Sequence, residues 1–90
     1  RPTIMFYVYV LQNKGEKDLY VGYSNDLRKR LSEHNRGLNF STKNKGLWKI
    51  IYYEACLNKN DAQRREEYFK TSQGRRLLKR RLKEYFYSLK

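Results

Sequence analysis

Tyr7-Val8-Tyr9-Val10-Leu11 and Leu19-Tyr20-Val21-Gly22, followed at once by Asn25-Asp26-Leu27-Arg28-Lys29-Arg30-Leu31-Ser32-Glu33-His34, decide the fold of this chain. The first two runs mix aromatic and β-branched residues at strand length. Asn13-Lys14-Gly15-Glu16-Lys17 between them is turn chemistry, so they read as a hairpin of residues 5–11 and 19–23. The third run has helical spacing, with Ser24 or Asn25 as its cap, a span to about Asn35, and Gly37 where a helix ends. Tyr9 and Tyr20 fall on adjacent strands and are expected to meet as a cross-strand pair.

Beyond the hairpin, residues 38–46 form a polar, lysine-bearing loop with a short helical turn expected at Ser41-Thr42-Lys43. Residues 48–56 read as a third strand. A second helix starts at Asn58 with Asp61 in its first turn, where an acid complements the helix dipole. Gly74 is expected to break the helical pattern near residue 73. Leu77, Leu78, Leu82, Tyr85, Phe86 and Leu89 then mark one basic amphipathic final helix over 74–89. The order β-β-α-β-α-α predicts an α/β (α+β) domain: a small, three-stranded, mainly antiparallel sheet flanked by helices that complete its core. Ninety residues make a single domain, 1–90, with residues 1–4 assigned no role.

The net charge of +12 favours polyanions, with nucleic acid ahead of membrane. It is uneven: from Arg64 onward there are ten basic and three acidic residues, so the C-terminal third is the expected backbone-contacting surface. One cysteine, Cys56, excludes an internal disulfide and a cysteine-built zinc site, and reads as a small apolar residue late in a strand. No apolar run reaches membrane-spanning length and no signal-peptide pattern opens the chain, so a cytoplasmic protein is expected. With nine tyrosines the core is expected to lean on Tyr.

In the first helix Leu27 and Leu31 define the apolar stripe. Arg30 and His34, also four apart, share a face beside it and are directed toward the tyrosines, while Lys29 and Glu33 point outward. An arginine there can present a bidentate fork to a phosphate, or simply be salt-bridged. In the second helix Ala62, Glu66 and Phe69 share a side and Glu67 points away. A carboxylate on an apolar side needs a partner, either Arg65 or a hard divalent cation. Glu54, late in the third strand, is the reserve carboxylate. A tyrosine at its ordinary pKa is a poor base and needs a nearby cation or metal. The residues support no Ser-His-Asp triad, cysteine nucleophile or glycine-rich nucleotide cradle.

Together these residues resemble the GIY-YIG nucleases, a family named for two tripeptides on adjoining strands. Tyr20-Val21-Gly22 matches the second, and Tyr7-Val8-Tyr9 the first with Tyr in place of Gly. Tyr20 follows Tyr9 by eleven positions; Arg30 follows Gly22 by eight, and His34 lies one turn later. Ala62-Gln63-Arg64-Arg65-Glu66 resembles the pattern around the family's metal-binding glutamate and selects Glu66. Phe40-Ser41-Thr42-Lys43, residues 48–55 and residues 70–76 are similar to the small stand-alone bacterial proteins related to the nuclease domain of the excinuclease subunit UvrC. Tyr23 stands where UvrC-like domains often have lysine.

The resemblance implies the GIY-YIG fold and an endonuclease hydrolysing a DNA phosphodiester with one Mg²⁺ or Mn²⁺ held by Glu66. Arg30 would stabilise the phosphoryl charge. Tyr9 or Tyr20 would position or deprotonate water, with His34 assisting. Arg28, Lys43, Lys45, Arg65, Lys70, Arg75 and Arg76 are the expected nucleic-acid contacts. Branched, flapped or single-stranded DNA in repair or recombination is the expected substrate, in a bacterial, nucleoid-associated setting. RNA is the other polyanion that the charge suits; neither a membrane nor a small-molecule cofactor is expected. Affinity would come from the basic surface, a dimer or a partner protein. The alternative is a catalytically weak or inactive nucleic-acid-binding module on the same fold.

Overall fold

A computed structural model of the chain describes residues 3–15, 18–39, 42 and 47–89. Three strands, β1 (Phe6–Asn13), β2 (Leu19–Ser24) and β3 (Trp48–Cys56), form one antiparallel sheet in the order β2-β1-β3. Helix α1 (Leu27–Asn35) joins β2 to β3. Helices α2 (Lys59–Phe69), α3 (Ser72–Arg81) and α4 (Lys83–Ser88) follow β3. This is the expected α+β arrangement with one additional helix.

The central strand explains the architecture. Alternate side chains of β1 leave opposite faces of the sheet, and both faces are covered. Val8 and Val10 point to one side, where Val21, Ala62, Phe69 and Leu78 close an apolar core under α2 and α3. Tyr9 and Leu11 point to the other side. There they join Trp48 and the half-buried Tyr20, Leu27, Leu31 and Ile50 beneath α1. The fully buried tyrosine, Tyr9, is on the α1 side, while Tyr23, Tyr52 and Tyr68 pack half-buried against the α2 side. Register shifts once between Val10 and Leu11, which pair with Tyr52 and Ile50. The extra residue, Ile51, is a β-bulge that returns the following side chains of β3 to their faces.

Local chemistry sets the helix starts. The α1 cap is Asp26, not Ser24 or Asn25: its carboxylate accepts from the Lys29 amide at 3.1 Å. Ser24 instead ends β2, and its Oγ accepts from the Asp26 amide at 2.9 Å. Gly37, at φ 74°, lies just past the end of α1 in the left-handed region that glycine tolerates. Asn58 caps α2 and Thr71 caps α3.

Two expectations are corrected. The chain breaks at Lys70 and Thr71, before Gly74, which lies buried inside α3. A Cβ at Gly74 would sit 2.0 Å from the Tyr68 carbonyl oxygen, so glycine is required by the approach of α3 to the end of α2. The final segment is two helices and not one, interrupted at Leu82 with φ −105° and ψ 31°. The interruption lies between two anchors: Arg81 Nε donates to the Tyr52 hydroxyl, and the Tyr85 hydroxyl donates to Gln12 Oε1. The expected turn at 41–43 lies outside the described residues except for Thr42. No helix among the described residues is long and apolar enough to cross a membrane.

Candidate active site

The site grows from one contact between β1 and β2. Tyr9 is paired in register with Gly22, and Tyr20 with Leu11, so the two tyrosines meet across the strands as diagonal neighbours. Their rings lie 6.4 Å apart. The hydroxyl end of the Tyr9 ring lies against Gly22: a Cβ there would come within 2.3 Å of the Tyr9 hydroxyl oxygen. The glycine is thus an opening in β2 through which a buried tyrosine reaches.

What Tyr9 reaches is His34. The hydroxyl lies 3.0 Å from His34 Nε2, and His34 Nδ1 lies 2.7 Å from Thr42 Oγ1. Thr42 Oγ1 is turned toward the Asn39 carbonyl at 3.5 Å. One tautomer satisfies the chain of contacts: Nδ1–H donates to Thr42, and Nε2 accepts from the Tyr9 hydroxyl. Tyr20 packs edge-on to the imidazole at 4.8 Å and against Trp48 at 6.5 Å. His34 is the one fully buried residue of α1, while Leu27 and Leu31 are only half-buried. The helix therefore drives a histidine, not its leucine stripe, deepest into the sheet.

The electrostatics follow from burial. Burial pushes the Tyr9 phenol far above its ordinary value; Tyr20, Glu66 and Glu33 act in the same direction and Arg30 against it. Burial likewise lowers His34, Arg30 lowers it further, and Glu33 opposes, so the imidazole is neutral at pH 7. Arg30 and Glu66 are thus both within electrostatic reach of the Tyr9 hydroxyl, from α1 and α2 respectively. Arg30 is partly exposed, and its Nε lies 3.5 Å from Glu33 Oε1, one turn along α1. Glu66 is half-buried and pairs with Lys70 at 3.1 Å.

Arg65 is not the partner of Glu66. It grips Glu54 with two bonds, Nε to Oε1 at 2.9 Å and Nη2 to Oε2 at 3.1 Å. Its guanidinium lies over the Phe69 and Tyr68 rings at 4.5 and 5.3 Å. The Tyr52 hydroxyl also donates to Glu54 Oε2 at 2.8 Å. Burial raises the Glu54 pKa, but the bonds from Arg65 and Tyr52 outweigh it and hold the carboxyl below its ordinary range. The reserve carboxylate is therefore committed to a structural pair, and Arg65 with it.

Among the other expected nucleic-acid contacts, Arg28, Lys70 and Arg76 are exposed, while Arg75 Nε donates to the Phe69 carbonyl at 2.9 Å. Lys43 and Lys45 lie outside the described residues. Cys56 is half-buried against the apolar core of the α2 side.

Three contributors escaped the sequence reading. Thr42 fixes the imidazole. Its carbonyl accepts from Trp48 Nε1 at 3.2 Å, and Asn35 brackets the Trp48 backbone with bonds of 2.7 and 3.1 Å. The position of Asn35 directly after His34 is the only local signal of that role.

Among the described residues, no three His, Cys, Asp or Glu side chains cluster as in an all-protein metal cage. The donor set at Glu66 is one hard carboxylate, which fits a hydrated Mg²⁺ or Mn²⁺ whose other positions are filled by water.

The chain is similar to known proteins along most of its length. A Clostridium perfringens UPF0213 protein is 45% identical over 67 residues, covering 73% of this chain and 71% of its own. A Streptococcus pyogenes UPF0213 protein is 39% identical over 70 residues, covering 77% and 75%. The solution structure of a Bacillus halodurans UPF0213 protein is 32% identical and aligns over 96% of this chain and 85% of its own, with a TM-score of 0.48. The family model of the GIY-YIG catalytic domain matches residues 5–80, and the chain belongs to the GIY-YIG family.

Proposed function

We propose that this chain is a metal-dependent DNA endonuclease that hydrolyses phosphodiester bonds at the Tyr9, Tyr20, Arg30, His34 and Glu66 cluster. The observation that carries the reading is the buried hydrogen bond from Tyr9 to a neutral His34, with Tyr20 packed on the same imidazole and Arg30 and Glu66 in electrostatic reach.

Each residue has a part in this reading. Tyr20 orients the attacking water; its partial exposure supports it over Tyr9, which is 2% exposed and hydrogen-bonded to His34. Tyr9 is then a positioning residue that holds His34 in one tautomer. Arg30 faces the charge that builds on the phosphoryl oxygens, where a preorganised cation is most effective. Glu66 holds the divalent ion, which when bound would polarise the phosphate and stabilise the leaving oxygen. Lys70 pairs with Glu66 and carries phosphate contact with Arg28 and Arg76. Structure-selective cutting in repair or recombination is the proposed setting.

The Glu66–Lys70 pair is what favours the second reading, a binding module that cuts poorly, because an ammonium already neutralises the carboxylate. Lys70 is half-exposed, and an ion pair of that kind contributes only about 0–1 kcal/mol, so a divalent ion can displace it. Labelled linear, nicked, flapped and branched DNA incubated with Mg²⁺ or Mn²⁺ decides the matter. Cutting is expected for the unsubstituted protein, abolished by EDTA, and reduced at least a hundredfold in Glu66→Ala and Arg30→Ala by analogy with loss of single charge-stabilising groups. Cutting that survives both substitutions would refute the assignment, and binding without cutting on every DNA would favour the module.

A further inference from the structure

The α1 side of the sheet is covered over Tyr9, Leu11 and Trp48 and open at one corner. That corner carries Tyr7 of β1 with Tyr53 and Ala55 of β3. Tyr53 is paired in register with Tyr9, shares its face, and is 53% exposed. The Tyr7 ring stands edge-on to it at 5.8 Å and 70°, the arrangement that aromatic quadrupoles favour. Ala55, opposite Tyr7, adds little bulk. A single exposed ring is ordinary. This one is braced by a second ring, on the site's own face, one strand from Tyr9, in a chain of net charge +12.

A ligand that offers a flat ring together with negative charge is a nucleotide unit, stacked by its base and held by its phosphate. Neighbouring strands are about 5 Å apart, so the platform is within a nucleotide's reach of the Tyr9 cluster. In a duplex both faces of every base are already stacked, and only an unpaired base has a face to offer. We infer that Tyr53, braced by Tyr7, is a stacking platform for an unpaired base beside the scissile phosphate. It would make flapped or frayed DNA the preferred substrate class of the site proposed above, on which this inference rests.

The test is equilibrium binding in EDTA, read by fluorescence anisotropy, so that cutting plays no part. Three DNAs serve as probes: a duplex, the duplex with a short thymidine flap, and the same flap made abasic. Tyr53→Ala is expected to weaken flap binding about tenfold, the usual effect of removing one base-stacking ring. Duplex and abasic flap should change less than twofold. Tyr53→Trp should restore flap binding, and 2-aminopurine in the flap should be quenched by the unsubstituted protein but not by Tyr53→Ala. Because Tyr53 is half-exposed, the variant should keep its circular dichroism spectrum. Equal loss on all three DNAs, no loss on any, or a dimer that Tyr53→Ala dissociates would overturn the inference. If no DNA binds at all, the nuclease reading falls with it. If the discrimination holds and nothing is ever cut, only the nuclease reading falls.

Discussion

Replacing Gly22 by alanine tests the contact from which the site is built. The added methyl would be centred 2.3 Å from the Tyr9 hydroxyl oxygen, 2.4 Å from Cζ and 2.9 Å from Cε1. Ordinary carbon contacts begin near 3.5 Å, so the ring must retreat by about 1 Å. It has no free space to enter, because Tyr9 is 2% exposed and packed with Leu11 and Trp48. A shift of that size also stretches the 3.0 Å bond to His34 beyond hydrogen-bonding range and leaves a buried hydroxyl and a buried imidazole nitrogen unpaired. Overpacking costs about 1–3 kcal/mol and the broken bond about 1–3 more. For a domain this size the sum corresponds to a drop in Tm of roughly 10–30 °C. Thermal unfolding followed by circular dichroism measures it. The double variant Gly22→Ala with Tyr9→Ala should be less destabilised than the two single effects added, because the methyl then has the vacated ring space. A Tm within about 2 °C of the unsubstituted protein, or strict additivity in the double variant, would refute the close approach and the reason given for glycine.

Two more perturbations read the electrostatics. Because His34 titrates lower in the folded chain than the ordinary histidine value of 6.5, the unfolded chain takes up a proton first as pH falls. Stability should be full above pH 6.5 and decline below it, and His34→Gln should flatten the Tm profile between pH 7.5 and 5.5; an unchanged slope would place the titration elsewhere. Glu54 is also lowered, from 4.5, so its contribution is present above that pH and lost as pH falls through the folded value. Glu54→Ala leaves Arg65 and Tyr52 without their acceptor and should cost about 1–2 kcal/mol at pH 7, the smaller end of such losses because Arg65 keeps partial solvation. The Tm should fall by roughly 5–15 °C and its dependence below pH 4.5 should weaken. A Tm equal to the unsubstituted protein's would refute the bidentate pair.

Residues with local signals were legible, and those defined by a distant partner were not. β3 runs over the expected residues because Trp48 opens a β-branched and aromatic run that Asn58 closes with a cap. Helical spacing separated Glu66 from Glu67 and placed Arg30 with His34, since a 3.6-residue period needs no knowledge of the rest of the fold. The interruption at Leu82 was invisible because leucine keeps the apolar stripe intact; the anchors that flank it are Tyr52 and Gln12, far away in sequence. Gly74 looked like a helix breaker, yet its reason is the Tyr68 carbonyl on another helix. Sequence offers Arg65 as one possible partner for the adjacent Glu66, whereas its ion pair is with Glu54 on β3.

The two faces of the sheet divide the work along the same line. Toward α2 and α3 the core is Val8, Val10, Val21, Ala62, Phe69 and Leu78, side chains whose burial stabilises without specifying direction. Toward α1 every buried polar atom is answered by the next: Tyr9 by His34, His34 by Thr42, and Trp48 by Thr42 and Asn35. Among the described residues no buried side-chain nitrogen or oxygen lacks a partner. Such a chain adds little net stability per bond but penalises every misorientation, because a displaced member leaves its neighbour buried and unpaired. The apolar face therefore holds the sheet together while the polar face fixes where the imidazole and the two tyrosines point. That is the separation of duties a small domain needs if it is to position a reaction with one modest core.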